Sequence, residues 1–226
     1  MPASNATDVL VLIGAGLGAA WGLAADRLAA RWPAHPEGSR AVRPVDWRTP
    51  IVILVGGVAA GLTLARFGPT PVQLALMAIV VALLIVMFAT DLDQRLLPDV
   101  LTLPLIPIAL AAFGGGASPY LHQPIDLVFA VAAGIIVPLG LYLLAIPFGA
   151  GAIGLGDLKL LVGIGLLGGA WRLLAALVSG AILAAVVILV LVALRRITLR
   201  SYVPYGPFLI IGSLWALLVL SDNAPL

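Results

Sequence analysis

From Phe67 to Thr90 the chain runs without a single charged side chain, and seven other uncharged stretches flank it. They are Val9 to Ala25, Thr49 to Ala65, Val100 to Ile125, Leu127 to Gly156, Leu160 to Trp171, Leu173 to Leu194 and Ser201 to Ser221. A helix crossing the hydrocarbon core of a bilayer needs roughly 17–25 residues, and only the stretch from Leu160 falls short. A soluble domain carries about 25% charged residues; this chain carries 10%, against 62% hydrophobic, with a mean hydropathy of +1.19. It cannot cover its own surface in water. The expected fold is an all-α, polytopic membrane helix bundle of about eight transmembrane helices.

The first run has no basic segment ahead of it: Asp8 precedes it and the first arginine is Arg27. A cleavable secretory signal needs the opposite order, so this run is expected to stay as a membrane helix. Basic residues alternate between the linkers. The odd linkers carry Arg27, Arg31, Arg40, Arg43, Arg48, Arg95, Lys159, Arg195, Arg196 and Arg200, the even ones only Arg66 and Arg172. By the positive-inside rule the odd linkers face the cytoplasm. The pI near 9.4 accompanies a formal net charge of only +2, and short basic loops fit a membrane protein better than a nucleic-acid groove. The longest linker, residues 31–50, is rich in Pro and Arg and reads as irregular, leaving one membrane-embedded domain over residues 1–226. The expected location is the cytoplasmic (inner) membrane.

No cysteine occurs, which excludes disulfides, thiolate metal sites and a cysteine nucleophile. The two histidines, His35 and His122, fall in loop-like sequence, so no metal and no histidine triad is expected. Of the ten acidic residues, Asp8, Asp26, Glu37, Asp46, Asp126 and Asp222 lie in linkers or at helix ends, where water can solvate them. Asp91, Asp93, Asp99 and Asp157 sit at the cytoplasmic ends of apolar runs, in two unusual segments. An ionised carboxylate at the centre of a membrane helix costs roughly 2.5–3.5 kcal/mol; near the interface the cost is lower, so position alone decides nothing.

The first segment is Thr90-Asp91-Leu92-Asp93-Gln94-Arg95-Leu96-Leu97-Pro98-Asp99. A solvated loop with Asp99 capping the next helix accounts for part of it; three aspartates in so short a stretch at a membrane boundary favour a functional role for Asp91. Arg95 either acts on a neighbouring aspartate or snorkels to lipid headgroups. The second segment, Gly149-Ala150-Gly151-Ala152-Ile153-Gly154-Leu155-Gly156-Asp157-Leu158-Lys159, places four glycines before an aspartate. Non-helical backbone at membrane depth is tolerated only where it is buried in protein or lines a wet cavity. A flexible loop with Asp157 as helix N-cap is the alternative. No strand precedes the glycines and no Gly-Lys-Ser/Thr follows, which excludes a phosphate-binding loop.

Asp91 and Asp157 fall on the same side of the membrane at similar depth. Two carboxylates about 4 Å apart repel by roughly 4 kcal/mol at an effective dielectric of about 20. Such a pair favours holding one proton between them, one member serving as base and the other as acid. The roles belong to the pair, not to either residue.

These segments resemble the signatures of type IV prepilin peptidases. Asp91 to Asp99, continuing Val100-Leu101-Thr102-Leu103-Pro104, is similar to the family's first motif, and Gly154-Leu155-Gly156-Asp157-Leu158-Lys159-Leu160-Leu161 to its second, the GxGD motif. Val203-Pro204-Tyr205-Gly206-Pro207-Phe208 resembles the start of its final helix. The resemblance implies a GxGD-type intramembrane aspartic endopeptidase. Its catalytic pair is Asp91 and Asp157, and its supporting positions are Asp93, Arg95, Pro98, Asp99, Gly154, Gly156 and Lys159. It implies removal of short basic leaders from type IV prepilin or type II secretion pseudopilin precursors at the cytoplasmic face. Many members carry a zinc domain with two Cys-x-x-Cys pairs in the first cytoplasmic loop and also methylate the new N-terminus. Here that loop is short and cysteine is absent, so the likeness is to the shorter, peptidase-only members, with no cofactor expected.

An ion- or proton-coupled transporter shares intramembrane carboxylates and broken helices; the carboxylates near one face and the absence of an internal repeat count against it. The five tryptophans read as interface anchors or packing. Pro104, Pro107 and Pro138 read as helix kinks, Pro104 and Pro107 alternatively as the wall of a substrate groove.

Overall fold

A computed structural model describes residues 3–32, 43–149, 153–196 and 204–221. Among the described residues every element is helical: α1 (Ala3–Ala29), α2 (Arg48–Phe67), α3 (Pro71–Gln94), α4 (Asp99–Thr102), α5 (Leu105–Gly114), α6 (Pro124–Ala145), a 3-10 turn (Ile146–Phe148), α7 (Leu155–Ala193) and α8 (Gly206–Leu218). Five of these, α1, α2, α3, α6 and α7, are long and apolar enough to cross a membrane; Asp99–Gly114 and Gly206–Leu218 are shorter apolar helices. The chain is a multi-pass helical membrane protein.

Helix α7 is two helices in one. Gly169 takes φ 77° and ψ 176°, a backbone conformation open to glycine and costly for other residues. A Cβ on Gly165 would lie 3.1 Å from Leu173 Cδ2. Eight residues along an unbroken helix are roughly 12 Å apart, beyond a leucine's reach, so the chain folds back at Gly169. The expected run from Leu160 was short because charge marks its limits poorly. Asp157 and Lys159 belong to the helix, which begins at Leu155, and Arg172 lies inside the second arm, only 6% exposed.

The run Val100 to Ile125 is a correction. It is not one continuous helix over its whole length: Pro104 separates α4 from α5, α5 stops at Gly114, and Gly115 to Gln123 is loop. Three successive glycines end the helix, and the remaining apolar residues pack as loop. Leu121 is buried there, and the Tyr120 hydroxyl donates to the Leu217 carbonyl. Arg172 stacks over the Tyr120 ring at 4.0 Å, and Arg66 donates to the Leu220 carbonyl at 2.7 Å. The two even-linker arginines thus meet at one end of the bundle. Arg48, at the opposite end of α2, lies roughly 30 Å away for a helix of this length.

Helix α3 is the axis. It starts with Pro71 in its first turn, where a missing N–H costs nothing, and from Val80 to Asp91 it is buried at most positions. It packs on α1, α2 and α8, while α7 packs on α5, α6 and α8. Helix α8 therefore bridges the two groups. It can approach the second arm of α7 closely because small residues face each other: a Cβ on Gly212 would lie 2.8 Å from the Gly180 nitrogen. Such small-residue contacts replace the hydrophobic drive that lipid removes.

The first linker ends earlier than expected, since α2 begins at Arg48. His35, Glu37 and Arg40 lie outside the described residues, as do Gly151, Arg200, Val203 and Asp222. A second correction concerns Asp26. It is not water-solvated: it is 1% exposed, takes hydrogen bonds from Thr49 (2.8 Å) and Arg27, and pairs with Arg43. Sequence position at the end of an apolar run did not reveal that arginines from the linker fold over it.

Candidate active site

The last turn of α3 ends when Arg95 takes the left-handed conformation, φ 54°, its N–H closing on the Asp91 carbonyl at 2.9 Å. That stop leaves Asp91 one turn from the helix end, 4% exposed. Its Oδ2 is buried with no hydrogen-bond partner among the described residues. On the other side Gly154 is extended (φ −67°, ψ 131°) and caps α7, so Asp157 stands in the helix's first turn rather than at its cap. Its carboxylate folds back toward Gly154, where a Cβ would lie 3.1 Å from Asp157 Oδ2. A negative charge in a first helical turn is favoured by the helix dipole.

Helix α8 brings the two acids together. A Cβ on Gly206 would sit 2.8 Å from the Asp91 carboxyl carbon and 3.1 Å from Asp157 Oδ1. Asp91 Oδ2 lies closer still to that position, so the facing carboxylate oxygens fall within the roughly 5.6 Å that two ordinary O–H···O hydrogen bonds through one water span. They line a cavity of about 560 Å³ whose walls come from the α3–α4 segment, the start of α7, Tyr142 of α6 and the Pro204–Gly206 turn. The Tyr205 hydroxyl donates to the Leu177 carbonyl at 2.9 Å, fixing that turn on the second arm of α7.

The remaining expected positions divide. Arg95, Asp99, Gly154, Gly156 and Lys159 line the cavity; Asp93 and Pro98 do not. Asp99 does not cap α4, whose N-cap is Pro98. Its carboxylate instead receives Lys159 Nζ at 2.6 and 2.7 Å. This pair is more than one-third exposed on both sides, so breaking it costs little. Lys159→Gln is expected to lower stability by less than about 1 kcal/mol, read from thermal unfolding in detergent. Arg95 is exposed at the cavity mouth. Asp93 turns away from the cavity to Arg48 Nη1 at 2.7 Å. Pro104 and Pro107 are not among the cavity's walls. Among the described residues no group of three His, Asp or Glu forms a metal-binding cluster.

Gly156 has a steric purpose. A Cβ there would meet Leu97 Cβ at 2.7 Å and Leu97 O at 3.1 Å. Both contacts are rigid, one backbone and one at the root of a buried side chain, so Gly156→Ala must push α7 away from the α3–α4 segment. We expect about a tenfold loss of any activity that needs both carboxylates, and a lower melting temperature, from overpacking of about 1–3 kcal/mol.

The sequence model of the type IV leader peptidase family matches residues 78–190, half of the chain, with both carboxylates inside the match. The chain belongs to the type IV leader peptidase family. A prepilin leader peptidase/N-methyltransferase of Burkholderia pseudomallei (strain 1026b) is 34% identical over 169 residues, covering 75% of this chain and 54% of the relative. One from Pseudomonas aeruginosa is 31% identical over 178 residues, 78% of this chain and 59% of the relative. One from Aeromonas hydrophila is 34% identical over 186 residues, 80% and 61%. The chain thus spans little more than half the length of the curated relatives it matches. No solved structure matches.

For this family member the residue that sequence reasoning left out of its site is Gly206. It stood in the third motif as a helix start, with nothing in its neighbours to reveal that both carboxylates converge on it. Only the packing of α8 between α3 and α7 brings that out.

Proposed function

We propose that this chain is an aspartic endopeptidase that removes basic leader peptides from type IV prepilin or pseudopilin precursors, with Asp91 and Asp157 as its catalytic pair. The observation that carries the reading is the convergence of both carboxylates on Gly206, in the wall of a cavity of about 560 Å³. One carboxylate, ionised, takes a proton from a bound water as its oxygen attacks the scissile carbonyl carbon. The other, protonated, gives its proton to the carbonyl oxygen. The resulting diol collapses as a proton passes to the leaving nitrogen, and the pair returns to one proton shared.

The chain acts as one membrane-embedded domain of eight passes, the arms of α7 counted separately and Asp99–Gly114 and α8 serving as shorter ones. The cavity end carries Arg27, Arg43, Arg48, Arg95 and Lys159, which supports a cytoplasmic orientation.

The test is direct. Purified protein is mixed with a synthetic precursor bearing a basic leader, and the products are weighed by mass spectrometry. Cleavage at one bond next to the leader supports the reading. An intact precursor, together with proton flux in liposomes that depends on Asp91, would favour a transporter instead.

A further inference from the structure

The densest ionic cluster outside the cavity lies where α1 ends and α2 begins, against the last turn of α3. Arg43 is its hub. Its Nη2 pairs with Asp26 Oδ1 of α1 at 2.5 Å, its Nη1 with Asp46 Oδ1 at 2.5 Å, and its Nε lies 2.8 Å from Asp93 Oδ1 of α3. The last contact is a charge pair whose N–H is not aimed at the oxygen, since Nε makes no hydrogen bond; Arg48 Nη1 supplies that bond to the same oxygen at 2.7 Å. Arg27 closes the group: it bonds Asp26, donates to the Arg43 carbonyl at 3.2 Å and to Thr49 Oγ1 at 3.0 Å. Three guanidiniums face three carboxylates, and the Asp26 and Asp93 side chains are 2% and 6% exposed. Burial alone would raise the Asp46 carboxyl, but the Arg48 backbone N–H and the Arg43 guanidinium outweigh it and hold it below its ordinary range.

Asp93 is two residues from Asp91, in the turn where a helix frays most readily. The neighbouring Gln94 is tied as well, its Nε2 donating to the Ala29 carbonyl of α1 at 2.8 Å. We propose that Arg43 is a positioning residue: held by Asp26 and Asp46, it grips Asp93 and fixes the last turn of α3, and so the direction in which the Asp91 carboxylate points. The inference rests on the hydrolytic reading of Asp91. A buried ionic cluster gives little net stability over an apolar one, so its value here is geometric. None of its side chains lines the cavity, so substrate binding does not pass through it.

Two substitutions test this in the full chain, in detergent or liposomes. Asp93→Asn removes the charge at α3 while leaving Arg43 held by Asp26 and Asp46; Arg43→Gln removes the hub. Each is expected to lower kcat by about ten- to a hundredfold, the scale of a misplaced reacting group, with KM for the precursor within about twofold of the parent. The double variant is expected to cost no more than Asp93→Asn alone, because that substitution already cuts the Arg43 contact along with the Arg48 bond. Should Arg43→Gln fail to insert, Asp93→Asn still carries the kcat test. Parental kcat in the single variants, a loss confined to KM, or losses that multiply in the double variant would overturn the proposal. Those outcomes leave the peptidase reading standing if Asp91→Asn is inactive; a parent chain that cuts no precursor defeats that reading instead.

Discussion

Asp91→Asn and Asp157→Asn are each expected to cut precursor processing by at least about a thousandfold, with the protein still inserted and folded. Asparagine keeps the shape of the side chain and removes its acid–base chemistry, and a positioned general acid or base contributes typically 10²–10⁴-fold. Because the two groups act as a unit, the double variant is expected to be no slower than either single one. Neither substitution changes the volume of the side chain, so each variant is expected to unfold near the parental temperature. The measurement is leader release by mass spectrometry beside thermal unfolding of each variant. A single variant that processes near the parental rate would remove that carboxylate from the chemistry.

The second large effect is expected at Gly206. Its α-hydrogen faces the space between the carboxylates, and an alanine methyl would lie 2.8 Å from the Asp91 carboxyl carbon and 3.1 Å from Asp157 Oδ1. Helix α8 cannot retreat easily, because Gly212 is pressed against Gly180 of α7. The carboxylates must move instead. A displacement near 1 Å at a reacting group costs about 10²-fold, so Gly206→Ala is expected to lower kcat by about that factor while insertion persists. The neighbouring Pro207→Ala adds no atom between the acids and serves as the control. Equal activity in Gly206→Ala and the parent would mean that the carboxylates have slack.

The all-helical membrane character was legible from the charge-free runs, because lipid demands internally satisfied backbone and leaves a strong mark on composition. The segregation of some basic residues to one end was legible too. Arg66 and Arg172, set apart by charge alternation, do gather at one end with Tyr120 and the Leu220 carbonyl. Helix limits were not. Charge placed a boundary at Arg172, yet the reversal is at Gly169, because an arginine over an aromatic ring can be buried whereas φ 77° suits glycine. Likewise the run after Val100 hid a loop, since Gly114 to Gly116 carry no charge to betray them.

In the candidate site, Asp91 and Asp157 stood out by their segments. Asp93 stood out only as part of a motif; its partners Arg43 and Arg48 lie 50 and 45 residues away, and pairing at that separation leaves no local pattern. The burial of Asp26 leaves none for the same reason. Gly206 carries no signal of its own in the sequence, because a glycine's importance lies in what its missing side chain would strike, and that is a property of packing.

The central claim is that two acids from separate helices share one small space, and the chain's lack of cysteine allows a clean measurement of it. Asp91→Cys/Asp157→Cys is treated in membranes with a short bifunctional thiol reagent, and linked peptides are counted by mass spectrometry. The account predicts an efficient intramolecular link for this pair, and none for Asp91→Cys paired with Trp171→Cys, just past the reversal of α7 at Gly169. If the first pair stays unlinked while each cysteine alone reacts readily with a monofunctional reagent, the carboxylates do not meet and the account is contradicted.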